Sequence, residues 1–475
     1  MPKVLVTGGS GFVAPHLIKL LIQKGYDVHC LVRYTSNISA LRNLPVTIHA
    51  GDVRDPATLE TPVKDAVYIF HLAAVLLDTN QAAFENTNVT GTKHMLEAAE
   101  KFAQASLKRF VLVSSLACAG PNPTLTPYDE TTPLNPISWY GKSKQKAEAI
   151  AAAFKPVLPI TIVRPAIVYG ENEQDLSQIF PLAEMRIQPK LGVKSKAMVC
   201  VYVGDLVAGM VAAAESEKAK GQTYFLNHAD IISSAGIVKG IGTAMGKANG
   251  LVIPVPNLII KAAAPFSEFI FHFNSKRAKM TRDKAREVTQ RYWIASPDKA
   301  KNDFGWVAAN DIVGGMKRTI PAYMADKVKV RQMALEKPFI LWLKYFVIAI
   351  LLGCVVEFIA HLGGFYQFYP SWLVYVVILV AFGLIFASLA KALRTKSSLI
   401  QLVIGILSAG VIEALNVLGV FPHHYWIFAD GWPLGIHDPW LRTAVLSLPG
   451  GIFILLLNFI LRNSYKNRLR LRGDL

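Results

Sequence analysis

A glycine turn set between the first strand and the first helix is the feature that most narrows the fold. The chain opens MPKVLVTGGSGFVAPHLIKLLIQKG, where Val4 to Val6 form a buried-strand run and Leu17, Leu20 and Leu21 recur at helical spacing. Between them Gly8, Gly11 and Ala14 follow a GxxGxxG rhythm, with alanine in the third place. Glycine permits a tight turn and lets backbone N–H groups approach an anion at the helix N-terminus. A small third residue still allows close packing of helix on strand. A glycine-rich turn alone says little, but one placed between strand and helix points to a fold that cradles a pyrophosphate.

Further strand signals come at DVHCLVR, VTIHAGDV, AVYIFHLAA, RFVLVSS and ITIVRPAIVYG, separated by stretches of helix length. Strands alternating with helices predict an α/β fold, a Rossmann-type, doubly wound parallel sheet. The second strand ends without the acid that would bind a ribose 2′-hydroxyl. Val32 holds that place and Arg33 follows it, which suits a 2′-phosphate and hence NADP, with NAD as the alternative.

The stretch SWYGKSKQKAE places Tyr140 and Lys144 one helical turn apart. That spacing alone does not distinguish chemistry from an ordinary helix face. A phenol with an ordinary pKa near ~10 is a poor base at neutral pH. A lysine ammonium one turn away would favour the phenolate. Ser115 follows the strand RFVLV, at the carboxyl end where ligands bind in open α/β sheets. Ser114 is its neighbour, but side chains alternate along an extended chain, so only one of the two can reach the site. Asn88 reads as a buried structural amide, and the glycosylation sequence it begins, NVT, as incidental.

These motifs resemble the extended short-chain dehydrogenase/reductase superfamily, and within it the 3β-hydroxysteroid dehydrogenase-like and dihydroflavonol reductase-like branches. TGGSGFVA at 7, GDVRDP at 51, HLAA at 71, NVTGT at 88, VSSLACAGP at 113, YGKSK at 140, RPAIVYG at 164 and VYVGDLV at 201 occur in that family's order. The resemblance covers residues 1–330, including a small substrate lobe mainly over 171–330. It implies that Gly8, Gly11, Phe12 and Val13 hold the pyrophosphate, while Asp52 and Val53 contact the adenine. It further implies that Ala73 and Ala74 line the wall beneath the nicotinamide ribose and that Pro165 packs near the carboxamide. Ser115, Tyr140 and Lys144 would be the catalytic trio, the last two also touching the cofactor. Counting back from Gly120, as the family pattern does, selects Ser115 over Ser114.

Near residue 337 the chain changes character. Segments 339–362, 371–393, 399–421 and 440–461 are each apolar and long enough to cross a hydrocarbon core. They predict an all-α, four-span transmembrane domain over 337–465, with a basic tail at 466–475. Lys391, Arg394 and Lys396 in the second loop and the basic tail place both termini, and the dinucleotide fold, on the cytoplasmic side of the membrane. The N-terminus runs directly into a strand, so no cleavable signal is expected. Glu357, His361, Glu413, Asn416, His423, His424, His437 and Asp438 gather towards the opposite face. They read as interfacial groups ahead of a headgroup or metal site, and no metal is expected.

The net charge of +17 suits an anionic cofactor or anionic lipid, and no basic stripe interleaved with aromatics calls for nucleic acid. Four scattered cysteines favour free thiols. The stretch 251–273 is apolar but broken by Pro254, Pro256 and Lys261, so it reads as a core helix or an interfacial surface rather than a fifth span. Together these features predict a membrane-anchored NAD(P)-dependent oxidoreductase for a lipid-like alcohol or ketone. The alternatives are an epimerase or dehydratase on a nucleotide-linked or lipid-linked sugar, and a cofactor-binding assembly protein without chemistry. The sequence leaves the oligomeric state open.

Overall fold

Strands β1 (Lys3–Thr7), β2 (Asp27–Val32), β3 (Thr47–Ala50), β4 (Tyr68–His71), β5 (Arg109–Val113) and β6 (Ile160–Pro165) arise from the β-branched and aromatic runs of the sequence. With the strand Thr223–Leu226 they form a seven-stranded sheet in the order 223–226, β6, β5, β4, β1, β2, β3. Every pairing in it is parallel. Order reverses between β1 and β4, and such a switch point leaves a crevice beyond the carboxyl ends of the strands. These features belong to a computed structural model of the chain, which describes residues 1–173, 176–192, 195–272 and 280–336.

Helices cover both faces, as a parallel sheet requires. Helix α1 (Ala14–Gln23) buries Leu17, Ile18 and Leu21 together with Val4 and Val6 on one face, joined by the helix Val203–Glu215. On the other face Leu5, Ile69 and Phe110 pack with Met95 and Leu96 of the helix Gly91–Phe102. The run ITIVRPAIVYG does not stay in one sheet. Its first half is β6, whereas Ile167–Tyr169 pairs with Cys200–Tyr202 as a separate two-stranded sheet.

The lobe expected to take the substrate combines the helices Ser234–Ala244, Asn257–His272 and Arg282–Val288 with a parallel ribbon of Ile187–Leu191 and Leu251–Val255. The stretch 251–273 is thus part strand and part helix. The chain divides into two units, Met1–Ala325 and Asp326–Leu475. Among the described residues no helix is long and apolar enough to cross a membrane. The four apolar segments after residue 338 and the Glu/His group between them lie outside the described residues.

Candidate active site

β1 delivers the chain into its turn at the switch point. Gly8 adopts φ 70°, and a Cβ there would stand 2.8 Å from the Ala73 nitrogen, so only glycine fits. The turn closes when the Gly11 N–H donates to the Gly8 carbonyl at 2.9 Å. Ala14 is buried at the start of α1, and Val13 offers that helix no side-chain cap. Open donors at a helix start, beside a cradle that a Cβ would fill, suit a pyrophosphate. Phe12 is half-buried beside them, edge-on to His16 at 5.8 Å between ring centroids.

Thr7 fastens this turn to the segment after β4. Its hydroxyl accepts from the Ala73 N–H at 3.1 Å and lies 2.8 Å from His71 Nδ1. Burial, reinforced by nearby Lys144, pushes His71 down to about 3 and so keeps the ring neutral. Ala73 and Ala74 follow, both half-buried.

At the end of β2, Val32 is buried against the glycine turn and Arg33 is exposed. Asp52 follows β3, but its carboxylate accepts from Arg54 Nη2 at 2.6 Å and from Arg54 Nε at 3.0 Å. The Arg54 hydrogen bond holds Asp52 below the usual carboxylate range, with Arg33 adding to the effect. The carboxylate expected to meet the adenine is therefore engaged by a neighbour, beside two arginines. Val53 is buried under Gly91.

The structure brings Ser115 and Tyr140 together. Ser115 accepts from the Ala117 N–H at 3.1 Å, and its side chain is near enough to the Tyr140 phenol to lower that group's pKa. Ser114 turns the other way, its buried hydroxyl 3.7 Å from Cys118 Sγ. Tyr140 is the second residue of the helix Trp139–Phe154, whose N-terminus Ser138 caps by accepting from the Gly141 N–H. A Cβ on Gly141 would run into the Ala117 carbonyl, so this glycine lets the serine loop and the tyrosine helix meet. Lys144, buried one turn on, donates to the Val113 carbonyl at 2.8 Å and lies 6.0 Å from the Tyr140 ring centroid.

Burial decides the protonation of both groups. It pushes the Tyr140 phenol above its ordinary value, against the lowering effect of nearby Ser115, and pushes Lys144 down to about 8. The sequence suggests a lysine that favours the phenolate, whereas here the ammonium faces the Val113 carbonyl and desolvation dominates. A phenol held protonated is a proton donor. Pro165 ends β6 beside Leu226. Asn88 donates to Val75 O and Ser143 Oγ and accepts from the Val75 N–H, which satisfies a buried amide within the fold.

Two acids of the lobe helix Arg282–Val288 escape sequence reasoning. Buried Asp283 accepts from the Trp139 N–H at 2.8 Å and the Tyr140 N–H at 3.4 Å, and buried Glu287 accepts from Ser138 Oγ at 2.6 Å. Acids at a helix N-terminus satisfy its open donors and complement its dipole. Their i,i+4 spacing in TRDKAREV is visible, but their partners are not. A second buried pair, Arg164 and Glu148 at 2.7 Å, lies behind Cys118 and Ser114.

A parallel sheet with a pyrophosphate turn at its switch point, and a Ser–Tyr–Lys trio at the same edge, defines a nicotinamide-dinucleotide enzyme. The chain belongs to the NAD dependent epimerase/dehydratase family, whose model matches residues 4–226. It is 27% identical over 323 residues to the ceramide reductase of Caulobacter vibrioides, a match covering 68% of this chain and 94% of that one. It is 32% identical over 253 residues to a putative dihydroflavonol 4-reductase of Synechocystis, covering 51% and 72%. Among solved structures, that of gox2253 is similar at a TM-score of 0.57 and 25% identity, over 69% of this chain and 99% of that one.

Proposed function

We propose that this chain is a membrane-attached oxidoreductase that uses NADP to interconvert a hydroxyl and a ketone on a lipid-like molecule such as a sterol, isoprenoid or ketolipid. The observation that carries this reading is half-buried Tyr140 at the carboxyl edge of the sheet, beside Ser115 and with Lys144 Nζ 6.0 Å from its ring centroid. The nicotinamide ring, when bound, supplies or accepts the hydride. Ser115 and Tyr140 hold the substrate oxygen between their hydroxyls, and Tyr140 gives its proton to the alkoxide that forms on reduction. Lys144 binds the ribose hydroxyls and offsets negative charge on the tyrosine oxygen once its proton has left.

Arg33 and Arg54 favour a 2′-phosphate, and the likeness to a ceramide reductase favours a lipid. The apolar segments after residue 338 supply the membrane attachment. Family membership supports a second reading, epimerisation or dehydration of a sugar nucleotide. Such an enzyme retains its dinucleotide through an acid at the end of the second strand, where this chain has Val32. A purely cofactor-binding role leaves the complete trio without purpose.

The deciding experiment is mass spectrometry of the nucleotide and small molecules that co-purify with the full chain. NADP together with an apolar ketone or alcohol is expected. Tightly held NAD with a sugar nucleotide would replace this reading by the second.

A further inference from the structure

The substrate lobe presents an apolar surface that neither the fold nor the proposed chemistry uses. Leu258 is 77% exposed, Leu251 68% and Met185 67%, and Val252, Ile253 and Ile259 lie between 41% and 57%. The Leu251 N–H donates to the Arg186 carbonyl at 2.7 Å, which sets Met185 beside the strand Leu251–Val255. That strand runs directly into the first turn of the helix Asn257–His272, carrying Leu258 and Ile259. Isolated exposed apolar residues are ordinary, but six of them gathered on one strand, the helix it leads into and the turn paired with it point to an interaction site.

We propose that this face docks on an anionic lipid surface. Charge selects the partner. From Asp230 to Glu268 the sequence carries no carboxylate between its ends, only Lys239, Lys247 and Lys261. The paired segment is the same: between Glu184 and Asp205 stand Arg186, Lys190 and Lys194 and no acid, while buried Lys196 turns inward to the Val288 carbonyl. Apolar side chains flanked by cations are the pattern of an interfacial element, with lysine stems lying along the apolar surface and their ammonium groups reaching headgroup phosphates. Backbone chemistry disfavours a second strand as occupant. Leu251–Val255 pairs on one side only, yet exposed Pro254 has no N–H to offer an added strand. The same chain also carries four bilayer-length apolar segments after residue 338, which would keep the lobe within reach of a bilayer.

The docking face rests on the lipid-substrate reading for its purpose alone, and its test needs no substrate. Single cysteines at Leu258 and Val252 carry a polarity-sensitive nitrobenzoxadiazole dye in the full chain, with Cys354 changed to Ser. Cys30, Cys118 and Cys200 are buried and escape labelling. The protein is reconstituted in vesicles of phosphatidylcholine and phosphatidylglycerol, with and without lipids bearing a nitroxide at the top of the acyl chain. A control label at Glu217 lies next to Arg109 at the amino end of β5, away from the lobe's end of the sheet.

The expected result is loss of about half the fluorescence at 258 and 252 but not at 217, and a weaker loss in pure phosphatidylcholine. Water-like emission at 258 in vesicles would overturn the proposal. So would apolar emission that persists in detergent and ignores the nitroxide, which would mean that the rest of the chain or a second copy covers the face. Equal quenching without anionic lipid would remove the role given to the cations. Unquenched labels in a protein that still turns over a vesicle-borne ketone would sink the docking face and leave the proposed reaction standing.

Discussion

In the proposed mechanism Tyr140 and Lys144 divide the work of the site, and substitution separates their parts. Tyr140→Phe is expected to abolish turnover while leaving cofactor affinity, read by fluorescence titration, within a few-fold, because the phenol acts in the transition state. Lys144→Ala is expected to lose both. The position of Lys144 near pH 8 adds a pH signature. Below about 8 the ammonium is already charged. Above it, a cofactor that needs the cation must take up a proton, so affinity weakens as pH rises. Calorimetry in two buffers of different ionisation enthalpy checks this, and Lys144→Arg should flatten the profile. Arg33→Asp is expected to shift preference from NADP towards NAD, since a carboxylate repels a 2′-phosphate. Tighter binding of NAD than NADP by the unaltered protein would refute the role given to Arg33. The types and spacing of these residues were legible because they are local. Arg54 as the partner of Asp52 was not, since an aspartate two residues before an arginine reads as an ordinary loop.

Among the elements, the helix Trp139–Phe154 is held from both sides. The serine loop presses on Gly141 and the lobe helix caps its start. Asp283→Ala removes that cap and is expected to cost about 1 kcal/mol, a loss of roughly 2–4 °C in melting temperature by calorimetry. Turnover should fall further than stability does, because the phenol loses its fixed place. Gly141→Ala keeps the helical backbone but drives a methyl into the Ala117 carbonyl. It is expected to lower turnover at least about tenfold with cofactor affinity retained, as a small misplacement of reacting groups can do. β1 to β6 could be read from the sequence because each is a run of branched or aromatic residues. The strand Thr223–Leu226 was not among the strand signals read from the sequence, and the break after β6 falls inside a continuous apolar run. Pro165, with no N–H for the ladder, ends that strand, and sequence pattern alone does not show where the next segment goes.

At the scale of the molecule, the ceramide reductase match accounts for nearly all of that relative with 68% of this chain. The seven-stranded sheet and the Ser115, Tyr140 and Lys144 trio all lie before the apolar segments begin. A chain ending at Glu336 is expected to bind NADP as well as the full chain does and to act on a short, water-soluble ketone. It should lose most activity on a vesicle-borne substrate, because tethering raises the effective concentration of a molecule dissolved in the bilayer. Equal rates for the two forms on vesicles would assign the membrane part another task. Apolar run length and charge asymmetry are properties of the chain itself, but the segments they mark lie outside the described residues. The capping of one lobe by another was not legible, because it depends on how distant segments fold together.

The acids at the start of the tyrosine helix also set an order of events during synthesis. Asp283 lies 143 residues after Tyr140. At 5–20 residues per second a ribosome takes roughly 7 to 30 s to cover that distance. By then the glycine turn, β1 to β5 and the tyrosine helix have all been made. Until residue 283 emerges, the start of the tyrosine helix lacks the acceptor for its Trp139 and Tyr140 N–H groups. The residues of the cradle are translated first, and the second cap on the tyrosine helix follows with the lobe.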